Sequence, residues 1–303
     1  MSGSPHLFDR ALHRRRLDRA APRFRQADFL KRRAAEDAVL RLEAIMRDFA
    51  VAVDLSARTG ALREALAASP ARERVGLLIE ADLSPPMLQG REGARVVLDE
   101  ERLPFGEGRL DLIVSLLGLH WTNDVVGALI QIRRALRPDG LFIGTFLGGS
   151  TLTELRQSLM SAEAELTGGA GQRVSPFADP NDAAGLLQRA GFALPVADVD
   201  RACVRYAHPL ELLADLRRMG ETHVAAERHP LALTRAVLAR ACDIYAERFG
   251  QADGRVPATF ELITLTGWAP HESQQKPLRP GAARMRLADA LGAVEHRLPR
   301  DEG

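Results

Sequence analysis

Three carboxylates early in the chain each stand at the end of a short apolar run. Asp54 follows 51–53 in VAVDLSARTG, Asp82 follows 75–79 in ADLSPPML, and Asp99 closes 95–98. A carboxylate at a strand end can accept two hydrogen bonds from a ribose diol or one from an exocyclic amine, and it can equally cap the helix that follows. For any one of them the two readings weigh the same. Three in register, with Gly60 in the first turn, point to a nucleoside site at one edge of a sheet. The first turn has a single glycine where a dinucleotide fingerprint has three, and no GxxxxGKS run is present. The expected ligand is therefore a nucleoside without a pyrophosphate. His120, in GLHW just after a fourth apolar run, is the candidate for proton transfer near neutral pH; otherwise it is a loop-end histidine bonded to backbone. Asp124 is expected to cap a helix.

These residues need a parallel sheet to bring them together. Runs at 51–53, 75–79, 95–98, 110–116 and 141–146 alternate with helical stretches at 62–68 and 125–136, and RPDG at 137–140 reads as a turn. That alternation predicts βαβ units with right-handed crossovers. Residues 7–49 read as helical, with Asp28 capping a long segment at 29–49. A helix at 183–190, a sixth strand at 196–204, helices within 208–249 and a last strand at 260–266 complete the pattern. The segment 168–177 reads either as a flap over the substrate side or as an ordinary loop. The expected organisation is an N-terminal helical segment (1–49), a sheet domain (50–268) with a helical insertion at 208–249 shaping partner entry, and a tail (269–303).

Arg and Lys number 41 against 40 Asp and Glu, so no global field argues for nucleic acid. Residues 10–33 carry ten cations against two Asp; this run reads as a solvated helix face, or as a cover for a ligand site. Only Lys31 and Lys276 are lysines. Cys203 and Cys242 form no metal or disulfide framework, and His208, His223 and His229 share no ligand spacing, so no metal is expected and a reducing cytoplasm fits. No apolar run reaches the roughly 20 residues of a membrane span.

VDLSARTG at 53–60, ADLSPPML at 81–88, LDEERLPF at 98–105 and the stretch 110–146 resemble the class I S-adenosylmethionine-dependent methyltransferases, including the malonyl-carrier-protein O-methyltransferases, over roughly residues 50–200. Residues 7–21, LHWTND at 119–124 and 267–291 resemble more closely the bacterial relatives of a mitochondrial complex I assembly factor of the same fold, which is associated with arginine hydroxylation. The resemblance implies an α/β fold with a seven-stranded, mostly parallel Rossmann-like sheet, N-terminal helices and a helical insertion before the last strand. It implies S-adenosyl-L-methionine as cofactor and a respiratory-complex protein as substrate, with an arginine hydroxylase or a non-catalytic assembly factor as alternatives. Asp82 becomes the ribose acceptor, with Leu83 and Met87 beside the adenosine. Asp99, with Glu100 next to it, accepts from the adenine amine. Asp54, the loop residues Ser56, Ala57 and Gly60, and Ser115 face the methionine end, and His120 stands where substrate would meet the methyl group. The family has glycine where this chain has Ser56 and Arg58. A side chain there costs ~1–2 kcal/mol per unfavourable position. The Ser56 hydroxyl is expected on the cofactor carboxylate, and Arg58 either outward or paired with that same carboxylate.

Overall fold

The computed structural model describes residues 6–175, 177, 179–227, 233–275 and 292. The chain divides into Met1–Pro270 and His271–Gly303. In the second unit the described part is a turn in which the His271 ring and the Ser273 hydroxyl pair at 2.7 Å. His229 and the tail from 276, apart from Gly292, lie outside the described residues.

In the first unit the strands are β1 (Phe49–Leu55), β2 (Val75–Asp82), β3 (Arg95–Val97), β4 (Leu110–Leu116), β5 (Leu136–Leu147), β6 (Ala193–Tyr206) and β7 (Val256–Trp268). They form one sheet in the order β3-β2-β1-β4-β5-β7-β6. The first five in that order run parallel, and β7 is antiparallel to both β5 and β6. Strand order reverses between β1 and β4, and in open α/β sheets ligands bind outside the carboxyl ends of the strands at such a point.

Two-residue alternation along the strands divides the core between the two faces of the sheet. Ala52, Leu112, Val114, Leu141 and Ile143 pack with helices α2 (Phe29–Glu43), α3 (Ala61–Ala67), α5 (Thr153–Thr167) and α8 (Arg235–Phe249). Val53, Leu55, Ile113 and Phe142 pack with α4 (Val125–Ala135) and α6 (Pro180–Arg189). The chain before the sheet supplies α1 (Arg10–Ala20), a 3-10 segment (Ala21–Gln26) and α2. Asp9 caps α1 through the Leu12 amide, and Asp124 caps α4 through the Gly127 amide.

Two boundaries and one cap differ from the sequence reading. The helix expected to reach residue 49 stops at Glu43, because Phe49 already pairs with Val75 in the sheet. RPDG at 137–140 lies inside β5 as an irregularity, with Asp139 in a left-handed conformation, φ 64°. Asp28 precedes α2 without a side-chain cap bond, and its carboxylate receives Arg32 at 2.9 Å. The expected insertion consists of α7 (Pro209–Met219) and α8, between the long antiparallel strands β6 and β7.

Candidate functional site

The ends of β1, β2 and β4 are neighbours because Asp54 pairs with Glu80 and Leu55 with both Ala81 and Ser115. Beyond Leu55 the chain turns sharply. The Ala57 amide bonds the Ala81 carbonyl at 2.9 Å, and Ser56, Arg58 and Gly60 all take positive φ, at 61°, 51° and 89°. The loop thus has the backbone that glycine favours, with side chains at two of its positions. Gly118 shows how tight this corner is: a Cβ there would lie 1.9 Å from Ser56 Oγ. Asp82, Asp99, Glu100, Ala57, Ser115 and the loop therefore converge on one edge, as the sequence places them.

Their bonding partners are the chain's own. Arg58, expected outward or on a ligand carboxylate, turns inward and is buried, its Nη1 donating to Asp82 Oδ2 at 2.9 Å and its backbone amide to the same oxygen at 2.8 Å. Asp82 Oδ1 accepts from the Ser84 amide at 2.9 Å. The Ser56 hydroxyl donates to Glu100 Oε1 at 2.6 Å, because that carboxylate stands next to the turn. Arg10, from α1, pairs with Asp99 at 2.6 Å and also with Glu100. Lys31, on α2, is buried and donates Nζ to the carbonyls of Ser56 and, at 2.5 Å, Leu116, bridging the ends of β1 and β4. Burial lowers its pKa, partly offset by the Asp54 charge. The cavity touching Lys31, Arg58 and Glu221 measures about 20 Å³, room for about one water. Leu83 and Met87 are buried against Leu17, Ala20 and Phe24 of the N-terminal segment.

Glu80, buried at the end of β2, holds Arg63 at 3.0 Å and Arg91, and Arg91 in turn donates to the Arg58 carbonyl at 2.6 Å. A Cβ at Gly60 would lie 2.3 Å from Arg91 Nη1, so this glycine serves both its φ and that guanidinium. Against this web of paired charges, neither oxygen of Asp54 has a hydrogen-bond partner, nor does Ser115 Oγ, though all three atoms are buried. Burial pushes the Asp54 carboxyl up to about 7, with Lys31 pulling the other way.

His120 lies beside this edge in a short 3-10 turn, Leu119–Trp121. Its Nε2 is 3.0 Å from Glu221 Oε2, which also accepts from Trp121 Nε1 at 2.8 Å, and its Nδ1 is buried without a partner. Glu221, just beyond α7, is a site residue that sequence reasoning missed. Trp121 is flanked by the rings of His13 and His120, at 5.3 and 5.2 Å between centroids. Burial, then the nearby Arg58 and Arg10 charges, holds His13 well below its ordinary pKa. Next to this turn is a mainly apolar cavity of about 260 Å³, lined among others by Phe8, Leu119, His120, Phe146, Phe177 and Leu186. Phe177, from the expected flap or loop, sits 6.2 Å from the His120 ring. Among the described residues no group of His, Cys, Asp and Glu could hold a metal, and no helix is long and apolar enough to cross a membrane.

The missed cations had one legible signal. Lys31 falls on the same face of α2 as Ala34, Ala35 and Ala38, all buried, so a lysine in an apolar stripe marks a buried ammonium. The solvated-face reading of 10–33 holds for Arg32 and Arg33, about half exposed, and fails for Arg10 and Lys31.

Residues 53–144 match the family described as "Methyltransferase domain". Over 291 residues the chain is 39% identical to the arginine-hydroxylase NDUFAF5, mitochondrial, of Danio rerio, a match covering 94% of this chain and 89% of that protein. It is 32% identical over 311 residues to a malonyl-[acyl-carrier protein] O-methyltransferase of Methylovorus sp. (strain MP688), covering 98% of each. A solved structure from Bacillus halodurans, described as a candidate methyltransferase, superposes with a TM-score of 0.54 at 16% identity, over 78% of this chain and 99% of that one. That likeness is one of fold.

Proposed function

The chain belongs to the class I S-adenosylmethionine-dependent methyltransferases, and on that premise we propose that the edge formed by β1, β2 and β4 binds S-adenosylmethionine for modification of a protein substrate in respiratory-complex assembly. The observation that carries the cofactor reading is the Asp54 carboxylate at the end of β1, buried with neither oxygen partnered. Desolvated acceptors of this kind cost stability unless a ligand uses them. The rest of the donor set fits the same group. The Ser56 and Leu116 carbonyls already accept an ammonium, that of Lys31, as a methionine amine would require. Asp82 and Asp99 stand at the ends of β2 and β3 for the ribose and the adenine amine.

When bound, the cofactor supplies an electrophilic methyl group, and the protein's share is orientation and proton handling. Glu221 would hold His120 through Nε2, fixing the ring so that Nδ1 keeps its lone pair; this tautomer is inferred from the Glu221 contact. The apolar cavity beside His120 would receive the substrate side chain with water excluded. The protein-substrate reading rests on the relatives, since the 39% match runs through the N-terminal helices and the insertion as well as the sheet. The activity for which that relative is named, arginine hydroxylation, favours a second reading, in which the residue modified is an arginine and the product is hydroxylated.

Calorimetric titration with S-adenosylmethionine and S-adenosylhomocysteine tests the cofactor assignment. Saturable binding of both is expected, and no heat at millimolar ligand would refute it. Mass analysis of a candidate subunit after incubation distinguishes an added methyl group from an added oxygen.

A further inference from the structure

Asp82 already accepts three hydrogen bonds from within the chain. Its Oδ2 accepts two hydrogen bonds from Arg58, one from the backbone and one from the guanidinium, and its Oδ1 accepts one from the Ser84 amide. A carboxylate oxygen offers about two acceptor directions. Oδ1 therefore has one left and Oδ2 none, whereas a ribose diol brings two hydroxyls. One donor has to leave. The two backbone amides are fixed by the turn and by the end of β2, so the donor able to leave is the Arg58 side chain, whose Nη2 is buried without a partner.

At the other end of the site the Lys31 ammonium bonds the strand-end carbonyls of Ser56 and Leu116, the position that the cofactor reading gives to the methionine amine. S-adenosylmethionine carries an ammonium, a sulfonium and a carboxylate, a net single positive charge, against the two positive charges of the Arg58 guanidinium and the Lys31 ammonium, so the exchange leaves the acids of this edge one positive charge short. Buried acids left with neither partner would be strongly unfavourable.

We propose that the Arg58 guanidinium and the cofactor's ribose compete for Asp82, making Arg58 an internal gate of the cofactor site, with Lys31 as the corresponding stand-in at the methionine end. The proposal rests on the cofactor reading above and adds a determinant of affinity to it. Cofactor then binds only the fraction of molecules in which Arg58 has left Asp82, and the apparent affinity falls by that fraction.

The test compares S-adenosylhomocysteine affinity, by calorimetry on the full chain, for the natural protein, Arg58→Gly and Arg58→Ala, each checked for cooperative thermal unfolding. The gate predicts that both variants bind at least about tenfold tighter than the natural protein. Gain in the glycine variant alone would mean that relief of the left-handed backbone at this position is responsible, and would overturn the gate. Equal or weaker binding by both variants would also overturn it, showing that Arg58 is indifferent to the ligand or helps to hold it. No binding by any of the three would instead remove the cofactor reading on which the gate depends. Should Arg58→Gly fail to fold, Arg58→Ala against the natural protein decides the same question.

Discussion

Two neighbouring regions on the carboxyl side of the sheet solve opposite problems. At the ends of β1, β2 and β3, acids crowd together and the chain supplies Arg58, Lys31, Arg10 and Arg91 to meet them, leaving a cavity of about 20 Å³. Beside His120 the lining is mainly apolar, with the imidazole met by the single carboxylate of Glu221, and a cavity of about 260 Å³ stands open. A buried carboxylate needs a partner at hydrogen-bond distance, so charge draws side chains inward. Apolar walls impose no such demand. The contrast explains why the residues with the strongest chemistry are the least accessible.

Breaking the charged region at its centre gives the largest expected effect. Asp82→Ala leaves the Arg58 guanidinium buried and uncompensated, and is expected to cost about 3–5 kcal/mol in urea unfolding. In an Arg58→Gly background the same change should cost much less, and the difference between the two costs measures the pair. Full additivity would contradict the burial of Arg58.

Asp54 works in the other direction. Its carboxyl is pushed up to about 7, chiefly by burial, from the 3.8 of an exposed group. Between those values the folded protein holds a proton that the unfolded chain has released, so stability falls as pH rises through the window. Asp54→Asn is therefore expected to stabilise the protein by on the order of 1–3 kcal/mol at pH 8, with the gain vanishing toward pH 4, while weakening cofactor binding. A gain independent of pH would argue against the titration of Asp54.

Glu221→Gln should cost about 1 kcal/mol by weakening charge-assisted bonds to His120 and Trp121, and should shift Trp121 fluorescence. The smallest effect belongs to the apolar region. Phe177→Ala is expected to leave S-adenosylhomocysteine affinity within about twofold, since Phe177 lines the apolar cavity against the His120 ring, while lowering turnover of substrate through loss of apolar contact. A large change in cofactor affinity would show that the two regions are one site.

What could be read from the sequence divides along the same line. Asp54, Asp82 and Asp99 were legible because each closes an apolar run, and a parallel sheet brings such ends together, whereas Ser115, inside its run, came only from the family resemblance. Ser56 and Arg58 were legible as glycine positions, and their positive φ agrees. The direction of the Arg58 side chain was not legible, because its partner is 24 residues away in sequence and becomes a neighbour only when β1 and β2 pair. The same holds for Lys31 and the Leu116 carbonyl, 85 residues apart, and for Glu221 and His120, 101 apart. Strand ends are local in sequence, whereas the charges that neutralise them are set by topology.

The most direct measurement is a crystal structure of the full chain with S-adenosylhomocysteine bound. The ribose hydroxyls are expected on Asp82 and the amine on the Ser56 and Leu116 carbonyls, with both the Arg58 guanidinium and the Lys31 ammonium moved off those atoms. Ligand bound with the Arg58–Asp82 pair intact would contradict that expectation.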